Sequence, residues 1–459
     1  MKTEDALLAA WETTVARRGD EPAIFDAQGR ILFRFGEIEE RSHQFHSLRE
    51  FEPGQIVAIQ IGNHADWPAL LLACLLCEIV VLPLEPTMSE RERHAALEAC
   101  RAEGLMVNPE SPIVRIGNGK SIDWAGPPPV LLKLTSGTTA QPRAIRFRSH
   151  QLCADAIQIC DTMGISSADL NFGVIPLSHS YGFSNLVTPL LVRGVPMVIS
   201  VDRMPRAVLD DLARTRATVF PGMPVFFQAF NEMTQAPPLP KLRLCISAGA
   251  PLTRNVARNF QEKFGRPIHS FYGASECGGI CYDVAATSDL EGFVGPGMRG
   301  VELKRIEPDA SPTQLRVRSA AVGDGYFPAE ELAKLGDGMF VPDDLVAIDQ
   351  EGVRIVGRIS DLINVAGKKV NPAEVEAHLL SFPGIRQAVV FGRASSLRHQ
   401  EVVACVVGAE ETQEAVLLEF CRAGLSGWQV PKRIFLLDTL PTTERGKISR
   451  RALAERFSA

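Results

Sequence analysis

The sequence lacks an apolar run long enough to cross a membrane. The best candidate, Ala69–Leu84, has about 16 residues and contains Glu78, whereas a membrane-spanning helix needs roughly 20 apolar residues. We interpret this run as a buried helix that leads into a strand, and we expect no integral membrane segment. Residues 1–20 do not resemble a secretory signal peptide, so a cytoplasmic protein is predicted.

The sequence also lacks a regular cysteine framework and a strong charge imbalance. Its ten cysteines are scattered, which favours the reducing cytosol over a disulfide-rich fold. Cys74 and Cys77 form a C-x-x-C inside the apolar run, where core packing is expected rather than metal or redox chemistry. The net charge is −6 and the basic residues are dispersed, so no nucleic-acid partner is expected.

What the chain does contain is a balanced, globular composition with alternating elements. Of its 459 residues, 46% are apolar and 22% are charged, which allows a sizeable core. Short apolar runs alternate with segments of helical spacing, which predicts layered α/β sheets with largely parallel strands. The predicted strands are Ile56–Ile61, Leu105–Val107, Thr218–Phe220, Leu242–Ser247 and Pro267–Phe271, and the predicted helices include Ala69–Leu76 and Asn255–Lys263.

The pattern changes twice towards the C-terminus. Short strands with Gly and Pro turns predict a β-rich subdomain at about 294–357, which closes a large N-terminal domain spanning 1–360. A smaller α+β domain is predicted at 361–459. Its expected elements are helix Pro372–Ser381, strand Gln387–Gly392, strand Val402–Val407 and helix Glu411–Ala423.

The most informative segment is Leu132–Ala144, which contains a Ser/Thr/Gly loop and no Walker motif. Its centre consists of Thr135, Ser136, Gly137, Thr138 and Thr139. Small hydroxyls and backbone N–H groups without bulky side chains form concave sites for phosphate. A solvated turn is an equally good interpretation of such a loop on its own.

Four further motifs follow this loop in a fixed order. They are Tyr272–Glu276 (YGASE), Asp344 with Ile355–Asp361 (IVGRISD), Gly367–Glu376 (GKKVNPAEVE) and Leu440–Ile448 (LPTTERGKI). Together with the phosphate loop, they resemble the adenylate-forming superfamily of acyl-CoA synthetases, peptide-synthetase adenylation domains and luciferase. The resemblance extends from about Pro22 to Leu453. It implies a large N-terminal domain and a mobile C-terminal lid.

The resemblance implies roles in ATP binding for residues of the large domain. The phosphate loop and Arg143, which stands where the family usually has Lys, would bind the phosphates. Arg keeps the charge and has a forked geometry suited to phosphate. Glu276 matches the family's Mg²⁺ ligand, and one carboxylate suffices for a metal that also binds phosphate oxygens. The adenine site would consist of Ala248, Gly249, Ala250, Tyr272, Gly273 and Ser275.

The resemblance places further roles near the domain boundary and in the lid. Asp344, preferred to its neighbour Asp343, and Arg358 would contact the ribose. Ser360 lies at the hinge position, where Asp361 is an alternative, and Gly367 would line the tunnel for CoA. Lys447 matches the family's lysine that contacts the carboxylate and the bridging oxygen. Without the surrounding motif Leu440–Ile448, a solvated lysine in a basic tail would be the preferred interpretation.

The acyl pocket is expected near the segment PLSHSYGF. His179 matches the family's gate residue, and no acidic residue stands beside it to hold an ammonium group, which disfavours an amino acid substrate. The pocket is expected to include His179, Phe183, Phe220, Gly249 and Phe271. Phe271 stands where long-chain and coumaroyl-type members often have Gly, so its ring would favour a shorter or aromatic acid.

The resulting functional hypothesis is an ATP- and Mg²⁺-dependent carboxylate–CoA ligase for a fatty or aromatic acid. The same adenylation with transfer to the phosphopantetheine of an acyl carrier protein is the nearest alternative. A non-catalytic acyl-nucleotide-binding protein is a second alternative, because Ala140, Arg143 and Pro342-Asp343 depart from the family pattern. A luciferase-type oxygenase is a third, although no residue requires it.

Overall fold

The computed structural model describes residues 5–120, 122–124, 126–135, 142–286, 290–395, 399–408, 413–441 and 450–457. The chain divides into two compact units. The first comprises residues 1–304, 316–342 and 350–353. The second comprises residues 305–315, 343–349 and 354–459.

The strands are numbered along the chain. They are β1 Pro22–Asp26, β2 Ile31–Arg34, β3 Ile56–Ile59, β4 Val80–Pro83, β5 Gly104–Met106, β6 Val114–Arg115, β7 Leu131–Leu134, β8 Ala144–Phe147, β9 Asn171–Gly173, β10 Met197–Ile199, β11 Val219–Gly222, β12 Leu244–Ser247, β13 Ile268–Ala274, β14 Gly278–Tyr282, β15 Phe293–Gly295, β16 Val301–Arg305, β17 Thr313–Ser319, β18 Gly325–Phe327, β19 Leu335–Gly336, β20 Met339–Phe340, β21 Asp344–Ile348, β22 Val353–Arg358, β23 Ile363–Val365, β24 Lys368–Val370, β25 Gln387–Ser395, β26 His399–Val407 and β27 Arg433–Leu436.

The helices are numbered in the same way. They are α1 Ala6–Arg18, α2 Phe35–Ser42, α3 Trp67–Leu76, α4 Glu90–Ala99, α5 Ser149–Met163, α6 Ser180–Gly182, α7 Thr188–Arg193, α8 Pro205–Thr215, α9 Pro224–Glu232, α10 Arg254–Phe264, α11 Pro372–Leu380, α12 Glu414–Gly424 and α13 Arg450–Arg456. Two 3-10 helices, His46–Glu50 and Ile359–Asp361, and a π-helix, Phe183–Val187, complete the set.

Two large sheets organise the first unit. The first has the order β14-β13-β12-β11-β9-β10-β1-β2, and its strands from β13 to β1 run parallel. The second has the order β18-β8-β7-β4-β3-β5-β6, with β7, β4, β3 and β5 parallel. Antiparallel strands lie at the edges of both sheets. This arrangement confirms the predicted α/β class with largely parallel sheets.

The apolar run Ala69–Leu84 folds as predicted. It forms most of the buried helix α3 and then the fully buried strand β4. Cys74 is buried with its helix, and burial raises the pKa of its thiol well above the usual range. None of the helices in the described ranges combines the length and the apolar character that a membrane crossing requires.

The second unit has a sheet of its own. Its order is β24-β23-β26-β25, and β27 pairs with β26 in parallel. Helices α11 and α12 bury Val375, Leu379, Leu417 and Cys421 in an apolar cluster with this sheet. Between the two α/β parts of the chain, the region from β15 to β22 consists of short strands. The boundary between residues 360 and 361 stays a prediction.

Candidate functional site

The stem of the phosphate loop is an antiparallel hairpin. Strands β7 and β8 pair from Leu131–Phe147 to Leu134–Ala144. Beyond that pair, Thr135 donates its N–H to the Arg143 carbonyl at 3.0 Å and its hydroxyl to the same oxygen at 3.3 Å. Ser136, Gly137, Thr138 and Thr139 lie outside the described residues. The structure therefore fixes the two ends of the loop, Thr135 and Arg143, against each other.

Arg143 is held by a carboxylate and an aromatic ring. Its Nη1 lies 2.9 Å from Glu331 Oε2, and its guanidinium carbon lies 3.9 Å from the centroid of the Tyr326 ring. A planar guanidinium stacks on a ring more favourably than a lysine ammonium does. The ring thus positions a cation at the end of the phosphate loop.

Tyr326 also reaches Glu276. Its hydroxyl donates to Glu276 Oε1 at 3.0 Å, and its side chain is fully buried on β18. Burial raises the pKa of the Glu276 carboxyl, while the hydrogen bond from Tyr326 opposes that shift. A single ring therefore links Arg143 and Glu276, which are 133 residues apart in the sequence. Tyr326 belongs to none of the sequence motifs, and only the rarity of tyrosine, with four in the chain, distinguishes it in the sequence.

The segment of His179 meets the turn that carries Glu276. Ser180 donates its hydroxyl to Ser275 Oγ at 2.9 Å. His179 is partly buried and precedes α6, where its Nδ1 accepts the N–H of Tyr181 at 3.2 Å. The structure therefore brings the two motifs together through Ser180 and Ser275.

The predicted adenine segments follow two adjacent parallel strands. Ser247, at the end of β12, lies opposite Ser270 on β13. Ala248 is buried, whereas Gly249 and Ala250 are exposed, and Gly249 has a φ of +85°. Tyr272 is buried and Gly273 is exposed on β13. The ends of neighbouring parallel strands are where α/β sheets bind ligands.

The residues predicted for the acyl pocket lie in different surroundings. Phe271 is buried with its ring centroid 5.9 Å from that of Tyr181. Phe220 is fully buried and packs on the rings of Phe172, Phe226, Phe227 and Phe230. Phe183 is also buried, edge-on to Trp67 at 6.5 Å. Among these rings, Phe271 lies next to the Tyr272–Glu276 motif in the chain.

A large groove lies elsewhere in the first unit. It has a volume of about 1130 Å³, and its lining includes none of the predicted site residues that the structure describes. Its lining contains two arginines and eight acidic residues, which are Asp26, Glu37, Glu40, Asp66, Glu110, Asp202, Asp210 and Asp211. An anionic nucleotide is repelled by such a surface, so the charge of this groove does not suit ATP.

The second unit joins the two predicted ribose ligands. Asp344 begins β21 and Arg358 ends β22. The Nε of Arg358 donates to Asp344 Oδ1 at 2.7 Å, with the carboxylate largely buried and the guanidinium more than half exposed. An ordered carboxylate beside an accessible guanidinium is a suitable pair for binding adjacent hydroxyl groups.

The structure describes some of the predicted hinge and lid residues. Ser360 lies in the 3-10 helix directly after β22. Its neighbour Asp361 accepts a hydrogen bond from Arg450 Nη1 at 2.7 Å. Gly367 has a φ of +85°, and, apart from its own chain neighbours, no heavy atom of the described residues lies within 4 Å of the position a Cβ would take. Lys447 lies outside the described residues, so its role stays a prediction.

Comparison with known families adds independent information. A sequence model described as AMP-binding enzyme matches residues 11–122 and 123–327, and one described as AMP-binding enzyme C-terminal domain matches residues 374–447. Together these matches cover most of the chain.

Curated relatives are similar along nearly their whole length. A probable CoA ligase from Humulus lupulus is 27% identical, with 88% of this chain and 87% of the relative covered. An oxalate–CoA ligase from Arabidopsis thaliana is 25% identical, with 92% of each chain covered. A feruloyl-CoA synthase from Amycolatopsis is 26% identical, with 98% and 99% covered.

Solved structures have the same fold. The ATP-bound form of MatB from Rhodopseudomonas palustris superposes with a TM-score of 0.84 at 22% identity, with 98% of both chains covered. The o-succinylbenzoate CoA synthetase of Bacillus subtilis, in complex with its acyl-adenylate intermediate, gives a TM-score of 0.81 at 23% identity, with 97% of both covered.

Proposed function

This chain belongs to the AMP-binding enzyme family, and from that premise we propose that its site activates a fatty or aromatic carboxylic acid with ATP and transfers the acyl group to CoA. Its curated relatives mark it as an AMP-forming acyl-CoA ligase. The observation that best supports the proposed site is the chain of contacts Arg143–Tyr326–Glu276 beside the phosphate loop.

The first step is nucleophilic substitution at phosphorus. A carboxylate oxygen of the acid attacks the α-phosphorus of ATP, the bond to the bridging oxygen breaks, and pyrophosphate leaves with the electron pair. Negative charge accumulates on groups that are already anionic, so fixed donors and cations lower the barrier. Arg143 would supply a cation beside the loop, and backbone N–H groups of the loop would supply the donors.

The residues present fit a magnesium ion. Among the described residues there is no cluster of three metal-ligating side chains, but Mg²⁺ bound with a nucleotide needs only one or two carboxylates. Glu276 is the residue that would hold it, and the Tyr326 hydroxyl fixes the orientation of that carboxylate. When bound, the ion would neutralise charge on the phosphate oxygens.

The remaining ATP contacts are proposed for individual residues. The adenine would bind between two segments, the backbone of Ala248–Ala250 and Tyr272–Ser275 with its tyrosine ring. Asp344 would accept the ribose hydroxyls, held in place by its hydrogen bond with Arg358. Lys447 would contact the carboxylate of the acid and the bridging oxygen in the adenylation step.

The second step is acyl transfer to a thiol. The sulfur of CoA attacks the acyl carbonyl carbon of the adenylate, the C–O bond breaks, and AMP leaves. Ser360 is the proposed hinge, and Gly367, which carries no side chain, would line the path of the pantetheine arm. Since the reported curated relatives are named as CoA ligases or synthases, CoA is the acceptor that we propose.

The proposed acid is apolar beyond its carboxylate. Phe271 and Tyr181 present aromatic surface next to the segment that contains His179. The segment around His179 contains no acidic residue that could pair with an ammonium group, so amino acids are disfavoured. The relative named feruloyl-CoA synthase supports an aromatic acid.

An acid-panel assay tests this function. Pyrophosphate release is measured with ATP, Mg²⁺ and fatty, aromatic, dicarboxylic or amino acids, each with and without CoA. We expect release with fatty or aromatic acids, and an acyl-CoA product only when CoA is present. Activity confined to amino acids, or no release with any acid, would contradict the proposal.

Replacing Glu276 by Gln should shift the Mg²⁺ dependence of the first step. Gln keeps the shape but not the charge that the metal requires, so the Mg²⁺ concentration for half-maximal pyrophosphate exchange should rise at least about tenfold. Glu330→Gln removes a carboxylate that pairs with Arg146 instead and is the matched control. Wild-type Mg²⁺ dependence in Glu276→Gln would remove Glu276 from the metal site.

Replacing Phe271 by Gly should lengthen the acyl pocket. Loss of the ring should favour longer acids, with kcat/KM for a long relative to a short acid rising by about tenfold, equivalent to about 1.4 kcal/mol. The variant should also lose about 3–5 kcal/mol of stability, because a buried ring is removed, so its folding is checked first. Phe271→Leu, which keeps apolar volume, is the control, and an unchanged length profile in the Gly variant would place the pocket's end elsewhere.

A further inference from the structure

A buried lysine precedes the phosphate loop and has no role in the proposed mechanism. Lys133 lies on β7, two residues before Thr135, and only 5% of its surface is exposed. Its Nζ donates to Ser184 Oγ at 3.3 Å. The ammonium also lies 4.6 Å from the ring centroid of Phe147 and 5.6 Å from that of Phe183. A charged group in such surroundings is costly unless it is compensated.

The compensation comes from a buried carboxylate. Asp155, on α5, is 3% exposed and hydrogen-bonds with the Ser184 hydroxyl. Burial lowers the pKa of Lys133 and raises that of Asp155, and in each case the opposite charge of the other residue counteracts the shift. Ser184 thus connects a cation and an anion that are both inside the first unit.

The carboxylate also holds the turn that carries Glu276. Asp155 Oδ1 accepts the backbone N–H of Gly279 at 3.1 Å. A Cβ on Gly278 would lie 2.0 Å from that same oxygen, and Gly278 has a φ of +69°. Glycine is therefore required at 278 both by its backbone conformation and by the closeness of Asp155.

The same helical segment is linked to the β13–β14 turn in two ways, directly through Ser180 and indirectly through Ser184. Ser180 and Ser184 are four residues apart, so they lie on one face. Ser180 bonds to Ser275, and Ser184 reaches Gly279 through Asp155. The turn from Ala274 to Gly278, which joins β13 to β14, is thus fixed on both sides of Glu276.

We propose that Lys133, Ser184 and Asp155 form an internal positioning relay that fixes the Glu276 turn relative to the strand entering the phosphate loop. The proposed mechanism assigns none of these three residues a contact with ATP or the acid. The relay connects β7, which leads into the phosphate loop, with two segments that bear predicted site residues: the helical segment after His179 and the β13–β14 turn. This inference rests on the proposed role of Glu276 for its effect on activity, but not for the structural link itself.

Two charge-neutral double variants separate positioning from simple charge balance. Lys133→Met with Asp155→Asn removes both charges but keeps an amide oxygen that accepts the Gly279 N–H. Lys133→Met with Asp155→Ala removes the charges and the acceptor. Asp161→Asn, on the same helix but exposed and paired with Arg193, is the surface control.

Hydrogen–deuterium exchange of peptides covering 274–280 gives a readout that needs no substrate. We expect the double variant with Asp155→Ala to exchange at least tenfold faster there than the double variant with Asp155→Asn, while peptides of α10 exchange alike. The Mg²⁺ concentration for half-maximal pyrophosphate exchange should rise severalfold only in the double variant with Asp155→Ala. If that variant does not fold, Ser184→Ala, which removes one hydroxyl, replaces it. We expect peptides covering 274–280 to exchange about threefold faster in Ser184→Ala than in the wild-type protein.

The results distinguish this inference from the proposed function. Equal exchange at 274–280 in both folded double variants would overturn the relay, whatever the activity. Two results together would overturn the proposed function and retain the relay. The wild-type protein would activate no acid, and residues 274–280 would still lose protection in the double variant with Asp155→Ala.

Discussion

Replacing Lys447 by Ala should abolish acyl-adenylate formation while leaving the thioester step intact. In the adenylation step, a lysine ammonium would stabilise both the attacking carboxylate and the bridging oxygen. Removal of such a transition-state contact costs on the order of 10²–10³ in rate. The thioester step releases AMP from an adenylate that already exists, and this lysine has no part in it. Pyrophosphate exchange measures the adenylation step. A single-turnover assay with CoA and supplied acyl-AMP measures the thioester step.

The control for this prediction is Arg445→Ala. Arg445 belongs to the same basic tail, two residues before Lys447, so it tests whether general positive charge is sufficient. We expect it to retain adenylation within a few-fold of wild type. Similar losses in both variants, or equal losses of both steps in Lys447→Ala, would support the alternative of a solvated lysine in the tail.

Replacing Ser360 by Pro should separate the two steps in the opposite way. Hinges absorb a large torsion change at one or a few residues at the end of an element. Ser360 lies in the short 3-10 helix after β22, and the preceding Ile359 N–H donates to Asp343 O at 2.8 Å. Proline fixes φ near −65° and has no N–H. We therefore expect adenylate to form while the rate of thioester formation falls by roughly two orders of magnitude.

Ser360→Ala is the matched control, because it removes the hydroxyl but keeps the backbone freedom. It should behave like wild type in both steps. If Pro slowed both steps by the same factor, Ser360 would not be the hinge. If Ala had the same effect as Pro, the hydroxyl and its contact with Asp361 would be responsible instead.

The elements with clear periodicity were predictable from the sequence. The run Asn255–Lys263 has helical spacing and forms α10, Arg254–Phe264. The uninterrupted apolar run Ile56–Ile61 forms β3, Ile56–Ile59. The order of strands within each sheet was not predictable, because neighbours such as β9 and β11 are distant in the chain and pair through long-range packing. Local patterns carry no information about such pairing.

The site was predictable where residues follow one another in a recognisable motif. Glu276 and Ser275 were assigned from YGASE, and the structure places Ser275 against Ser180, next to His179. Tyr326 was missed, because its position between Arg143 and Glu276 depends on the pairing of β18 with β8. Lys133 was given no role from the sequence, because its partner Asp155 lies on a helix distant in the chain and only the fold brings the two together.

The most direct test of the central claim follows an oxygen atom. The acid that performs best in the panel is labelled with ¹⁸O in its carboxylate, and the nucleotide product is analysed by mass spectrometry after a single turnover with CoA. Attack of the carboxylate on the α-phosphorus transfers one labelled oxygen to AMP, because the bond broken by the thiol is the acyl C–O bond. We predict AMP with one ¹⁸O atom and unlabelled pyrophosphate. ADP with labelled phosphate, or unlabelled AMP alongside the acyl-CoA product, would contradict activation of the acid through an acyl adenylate.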